Sequence, residues 1–176
     1  MIFVTVGTQA APFDRLMRAL GDLPPGEEIV VQCGSSELRP PRATCVDFMP
    51  FEAVLEHVRN ARAVVAHAGV GSVMICLENG KRPIVVPRLE HLGEHPDDHQ
   101  HEFARRLEAQ GLVTVVEDLA HLPAVLSNQR ELSIPPAARG GQLVGELRRY
   151  LGVHLGLAER GVEAPAESLE RQIPSV

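Results

Sequence analysis

The sequence predicts an α/β protein built on an open, doubly wound parallel sheet of Rossmann-like type. Three observations carry this. Apolar runs of about five residues recur along the chain and alternate with stretches of helical periodicity. The runs are too uniformly apolar for one-sided strands, as expected when helices cover both faces of a sheet. At residues 63–88, AVVAHAGVGSVMICLENGKRPIVVPR, a complete strand–turn–helix–strand unit can be read directly.

Residues 2–6, IFVTV, form the first strand, and Gly7-Thr8-Gln9 a polar loop after it. Pro12 opens a helix to residue 20, because proline suits a first helical position and Phe13, Leu16, Met17 and Leu20 recur at helical spacing. A Pro-Pro-Gly turn leads to a strand over 28–33, closed by Gly34. A loop rich in Pro and Arg precedes a short strand over 44–49. Pro50 ends that strand, and an amphipathic helix over 51–60 places Phe51, Val54, Leu55 and Val58 on one apolar face. The central unit has a strand at 63–67, a glycine turn at 68–71, a helix at 72–79 and a strand at 83–87. Gly80 stands where a C-cap glycine belongs, and Pro83 where no helix continues.

A polar loop over 89–96 follows, then a helix over 97–111 with Phe103, Ala104 and Leu107 inward and Gly111 as its cap. Residues 112–116 form the next strand, and Asp118 N-caps a short helix to 126. After Pro135-Pro136 a last helix spans 137–151. Its stripe of Leu143, Val144, Leu147, Leu151 and Leu155 either packs on its own domain or docks a partner. One domain is expected over 1–155. The remainder, 156–176, is sparse in apolar residues and is expected to be a flexible or loosely docked tail.

The chain of 176 residues, 44% hydrophobic and 23% charged, suffices for one well-buried core. No apolar run reaches the length of a membrane span and no signal-peptide pattern opens the chain, so a cytoplasmic protein is expected. A net charge of −6, one Tyr and no Trp argue against a nucleic-acid partner. Cys33, Cys45 and Cys76 lack metal-ligand spacing and read as buried thiols.

The glycine turn carries the functional expectation. Gly69 and Gly71 strip side chains from a strand-to-helix turn, and the helix they open presents unpaired amides and the positive end of its dipole. That is an anion site, most often for phosphate, although such turns also arise from tight packing alone. The third glycine of the dinucleotide fingerprint is missing, which argues against NAD. His67, just before the turn, is either a phosphate contact or a satisfied buried histidine. Glu78 is either a ribose ligand or a solvated residue, and Arg88 is a fixed cation beside the phosphate or a strand-terminal arginine. The segment 88–101, RLEHLGEHPDDHQH, holds four of the eight histidines. Pro96 breaks regular spacing and disfavours a metal; Glu94, His95, Asp98, His99 and Gln100 suit a polyhydroxylated ligand instead. A solvated polar cap is the alternative.

Together, VTVGT near the start, HAGVGS after a buried strand, GKRPIVVPR, and LGEHPDDHQ opening a helix resemble the C-terminal, donor-binding half of family 28 glycosyltransferases, over about residues 1–150. The likeness is greatest to the split, two-component members, such as the catalytic subunit of the dolichol-linked N-acetylglucosaminyltransferase and the small subunits of exopolysaccharide and capsule assembly. The resemblance implies a single half of a GT-B fold and an inverting, UDP-sugar-dependent hexosyltransferase that needs no metal or other cofactor. It implies uracil against the backbone at Phe48 and Met49, diphosphate on Gly69, Gly71 and Ser72 with Gly7 and Thr8 opposite, and sugar at Asp98, His99 and Gln100. Glu94, His95 and His99 become the candidate catalytic groups. Where many relatives place a ribose-binding Glu this chain has Ile75, and the acid falls one turn later at Glu78. The missing acceptor half implies a separate membrane-associated subunit that brings a lipid-linked acceptor. It also implies peripheral location at the inner membrane face through that partner. Self-association is left open, as is a non-catalytic role in donor binding or in enhancing a partner's activity.

Overall fold

In the computed structural model, which describes residues 1–128, six strands form one all-parallel sheet. In chain order they are β1 (Ile2–Thr5), β2 (Ile29–Gln32), β3 (Thr44–Val46), β4 (Ala63–His67), β5 (Ile84–Val86) and β6 (Thr114–Val115). Five helices connect or follow them: α1 (Asp14–Gly21), α2 (Phe51–Asn60), α3 (Val70–Glu78), α4 (His99–Ala109) and α5 (Leu122–Asn128). The predicted helix at 137–151, its apolar stripe and the tail lie outside the described residues.

The spatial order is β3-β2-β1-β4-β5-β6. β1 sits between β2 and β4, with Ile2 level with Ile29 on one side and Ala63 on the other. All residues of β1, β2, β4 and β5 are buried, as two-sided coverage requires. Alternating side chains therefore feed two cores. Ile2, Val4, Ile29, Val31, Ala63 and Val65 face one layer with Phe13, Leu16, Met17 and Leu20 of the α1 region and Leu122 and Leu126 of α5. Phe3, Val30 and Val64 face the other, with Val58 of α2 and Cys76 of α3. The period-2 alternation of strands thus assigns α1 and α2 to opposite faces.

Every predicted element within 1–128 is present, with ends shifted mainly because ladder pairing stops before the apolar run does. β3 ends at Val46, which leaves Phe48 and Met49 in the loop beyond it. One helix face differs from expectation. Phe51 is 59% exposed rather than inward, and only Val58 of that face is fully buried. As the first residue of α2, directly after Pro50, Phe51 stands beyond the strand ends, where no sheet surface lies beneath it. Cys33 and Cys76 are buried free thiols, each pushed up to about 12 by burial.

Candidate functional site

The strand order reverses at β1: the chain runs outward through β2 and β3, then returns to place β4 on the other flank. α1 leaves β1 on one face and α3 leaves β4 on the other, so a crevice opens between them above the carboxyl strand ends. Open α/β sheets bind ligands at this switch point. One wall is the β1–α1 loop, which begins at Gly7 with φ +72, a left-handed conformation natural to glycine. The other is the first turn of α3.

That first turn is prepared for an anion. Gly69 is the N-cap of α3, and no side chain caps the helix. Its first turn contains no acid, whereas α1, α2 and α4 carry Asp14, Glu52 and Glu102 there. The first intrahelical bond runs from the Val73 amide to the Gly69 carbonyl, 3.1 Å. The amides of Val70, Gly71 and Ser72 precede it and project from the helix end. Among the described residues, a Cβ added at Gly71 would meet nothing within 4 Å, so no packing contact there explains a glycine in a helical position that favours alanine.

Gly69 has a different cause. A Cβ there would collide with the His67 imidazole, and so would a Cβ on Gly7. The ring is wedged between the two glycine turns and bridges the crevice floor. His67 is 8% exposed, and its Nδ1 has no hydrogen-bond partner. Burial first, and the nearby Arg88 charge second, lower its pKa to about 4, so it is neutral at physiological pH.

Arg88 does not face the crevice as a cation beside a phosphate. It is wholly buried, turned beneath the crevice walls. Nη1 donates to the carbonyls of Ala11 (2.9 Å), Pro12 (3.3 Å) and Glu94 (3.2 Å), and Nη2 to that of Val6 (3.2 Å). Its guanidinium lies 4.5 Å from the Phe13 ring centroid. Burial lowers its pKa to about 10, which leaves it charged. The sequence did not reveal this inward turn because a strand-terminal arginine reads as surface.

Glu94 is likewise engaged. Its carboxylate accepts from Arg15 Nε (3.0 Å) and Nη2 (2.9 Å) and from the Leu89 amide (3.1 Å). A buried, ion-paired carboxylate with both oxygens occupied is badly placed to serve as a general base. Arg15, which no sequence pattern singled out, makes this bond from the polar face of α1 and also donates to the Pro87 carbonyl, 2.9 Å.

The remaining polar candidates gather at the start of α4. Asp97 lies between two imidazoles, with His95 Nδ1 and His99 Nδ1 each 3.0 Å from a carboxylate oxygen. The His99 contact holds the Asp97 carboxyl below its usual range, and Asp97 raises the exposed His99. Asp98 accepts from the Glu90 amide, 3.1 Å. Gln100 is nearly buried, its Oε1 accepting from the Arg88 amide at 3.3 Å. A cavity of about 300 Å³ next to this cluster is lined by Pro87, Leu89, His91, Asp98, His101 and Glu117.

Thr8 is exposed on the β1–α1 loop, and Ser72 half-buried in the α3 turn. Phe48 is 55% exposed beyond β3, with Met49 beside it. Ile75 packs against the core layer with Phe3, so it offers no ribose contact. Glu78 is the last residue of α3, about 10 Å along the axis from Gly71 at 1.5 Å per residue. The structure therefore brings Gly7, Thr8, His67, Gly69, Gly71 and Ser72 to one crevice, with the 95–100 cluster at the neighbouring strand end and Glu78 apart. Among the described residues, no helix is long and apolar enough to cross a membrane, and no three His, Cys, Asp or Glu side chains gather as metal ligands.

These features define a doubly wound α/β domain with an anion-ready helix terminus at its topological switch point. Residues 1–134 match the glycosyltransferase family 28 C-terminal domain, and the chain belongs to that family. Three solved glycosyltransferases share the fold. The glycotransferase of kitacinnamycin is 20% identical with a TM-score of 0.54 over 87% of this chain and 39% of its own. CalG4, the calicheamicin glycosyltransferase, is 17% identical with a TM-score of 0.53 over 86% and 42%. MurG of Acinetobacter baumannii is 19% identical with a TM-score of 0.50 over 84% and 49%. The chain thus spans less than half the length of each, and its sheet corresponds to one half of a GT-B glycosyltransferase. No curated protein matches it in sequence.

Proposed function

We propose that this chain is the donor-binding catalytic subunit of an inverting glycosyltransferase that takes a UDP-sugar and works with a separate, membrane-associated acceptor subunit. The observation that carries the reading is the uncapped, acid-free first turn of α3, with open space at Gly71, facing the Gly7–Thr8 loop across the switch point. The diphosphate rests on the amides of Gly71 and Ser72. As the glycosidic bond breaks, charge builds on that leaving group, and fixed amides and the helix dipole stabilise it without a metal. The uracil lies toward Phe48 and Met49, and the sugar toward Asp98, His99 and Gln100. Because Glu94 is paired with Arg15, the reading assigns the general base to the partner half or to His95 or His99. The partner also brings the lipid-linked acceptor and holds the complex at the inner membrane face. This is the split, two-component arrangement of polysaccharide or glycolipid assembly.

Calorimetric titration of the full chain with UDP tests the reading. Binding is expected, and Gly71→Asp should abolish it, since the new carboxylate would repel the phosphates. Absence of binding by the unmodified chain at saturating UDP, or retention of it by Gly71→Asp, refutes the assignment. Binding of UDP-sugar with no transfer in the presence of the acceptor subunit would instead support a non-catalytic donor-binding role.

A further inference from the structure

We propose that Arg88 is a positioning residue for the donor crevice. From the end of β5 it fastens the β1–α1 loop to the β5–α4 loop, and so fixes the segments on either side of the first turn of α3. This rests on reading α3 as the diphosphate site, and it adds a residue that acts there without touching the ligand.

The guanidinium holds three carbonyls of the β1–α1 segment, those of Val6, Ala11 and Pro12, and one of the β5–α4 segment, that of Glu94. Gly7 and Thr8 lie within the stretch so held. The Arg88 amide also grips Gln100 at the start of α4. Arg15 makes the reverse connection, from α1 to Glu94 and to the Pro87 carbonyl. Two arginines thus cross between the same two segments in opposite directions.

Core stability alone is a poor account of Arg88. Its charge is removed from water and met by carbonyl dipoles, the Phe13 ring and the nearby Glu94 charge rather than by a direct ion pair among the described residues, and its Nε has no partner there. An apolar side chain of similar size would fill the space at lower desolvation cost. What an apolar residue lacks is the means to pin loop carbonyls that belong to no helix or strand. Lysine lacks it too: its donors radiate from one nitrogen, whereas the planar fork spreads them over three. Loops fixed in advance need not be ordered when the ligand arrives, which favours binding.

The test uses the full chain with Arg88→Lys and Arg88→Met, each at a temperature where circular dichroism shows it folded. Both are expected to weaken UDP binding by about tenfold or more. Amide exchange should accelerate over residues 7–11 and 89–95 in the free protein, while β4 keeps its protection. UDP affinity of Arg88→Lys equal to that of the unmodified chain would overturn the proposal, because charge rather than the fork would then suffice. Lower melting temperatures with UDP affinity within about twofold of the unmodified chain would overturn it as well, leaving a core role only. If neither variant folds, Arg15→Gln cuts the more accessible connection, and unchanged loop exchange in it counts against the brace. Should the unmodified chain bind no UDP, the diphosphate reading fails, and the exchange of the two loops alone decides for or against the brace.

Discussion

Gly71→Ala separates stability from function at the α3 terminus. The position is helical, its φ is not left-handed, and a Cβ there meets no atom of the described residues within 4 Å. Alanine therefore introduces no strain and restricts the unfolded chain. In an exposed helical position the exchange stabilises by roughly 0.5–1 kcal/mol. For a chain of this size that raises the melting temperature by about 1–4 °C. The same methyl group stands beside the amides assigned to the diphosphate, where a close-lying ligand has no room for it. Calorimetry should show UDP affinity falling by about tenfold or more, a loss near 1.4 kcal/mol, in a protein that melts higher. A variant that binds UDP as tightly as the unmodified chain, or that melts lower, would refute the idea that the glycine is kept for a ligand.

Gly69→Ala should behave oppositely. Its Cβ overlaps the trapped His67 ring, an overpacking expected to cost about 1–3 kcal/mol in urea denaturation. His67→Ala in the same molecule should recover most of that loss, and strict additivity of the two changes would disprove the steric coupling. His67 also predicts a pH dependence. Its folded pKa of about 4 lies below the ordinary 6.5, so the unfolded chain binds the proton more readily. Its share of stability is complete above about pH 6.5 and is lost as pH falls toward 4, by roughly 3 kcal/mol from 2.5 units at about 1.36 each. Denaturation curves from pH 4 to 8 should slope less for His67→Gln than for the unmodified chain; equal slopes would contradict the burial argument.

The architecture was legible because apolar runs, proline and glycine report local backbone geometry, and a parallel sheet repeats one local unit. α2 and β4 were read to the residue, and the Asp118 cap is present, its carboxylate accepting from the Ala120 amide at 2.9 Å. The glycine turn was equally visible, but the separate reasons for its two glycines were not. The His67 ring, two residues before Gly69 and 60 after Gly7, crowds both glycines, a three-body packing that periodicity does not encode. The roles of Arg88, Glu94 and Arg15 are hidden in the sequence for a related reason. Charged residues are read as surface by default, and only the assembled loops show that these are paired with carbonyls and with one another across more than 70 residues of sequence. The exposure of Phe51 is not legible because helical spacing gives a face but not how far the sheet extends beneath it.

The two margins of the sheet carry one more consequence. β3 contributes three residues and β6 only two, while the four interior strands are three to five residues long. Such stubs give a neighbouring molecule almost no rungs on which to extend the ladder. Blunt margins therefore reduce the risk that copies of this sheet stack flank to flank.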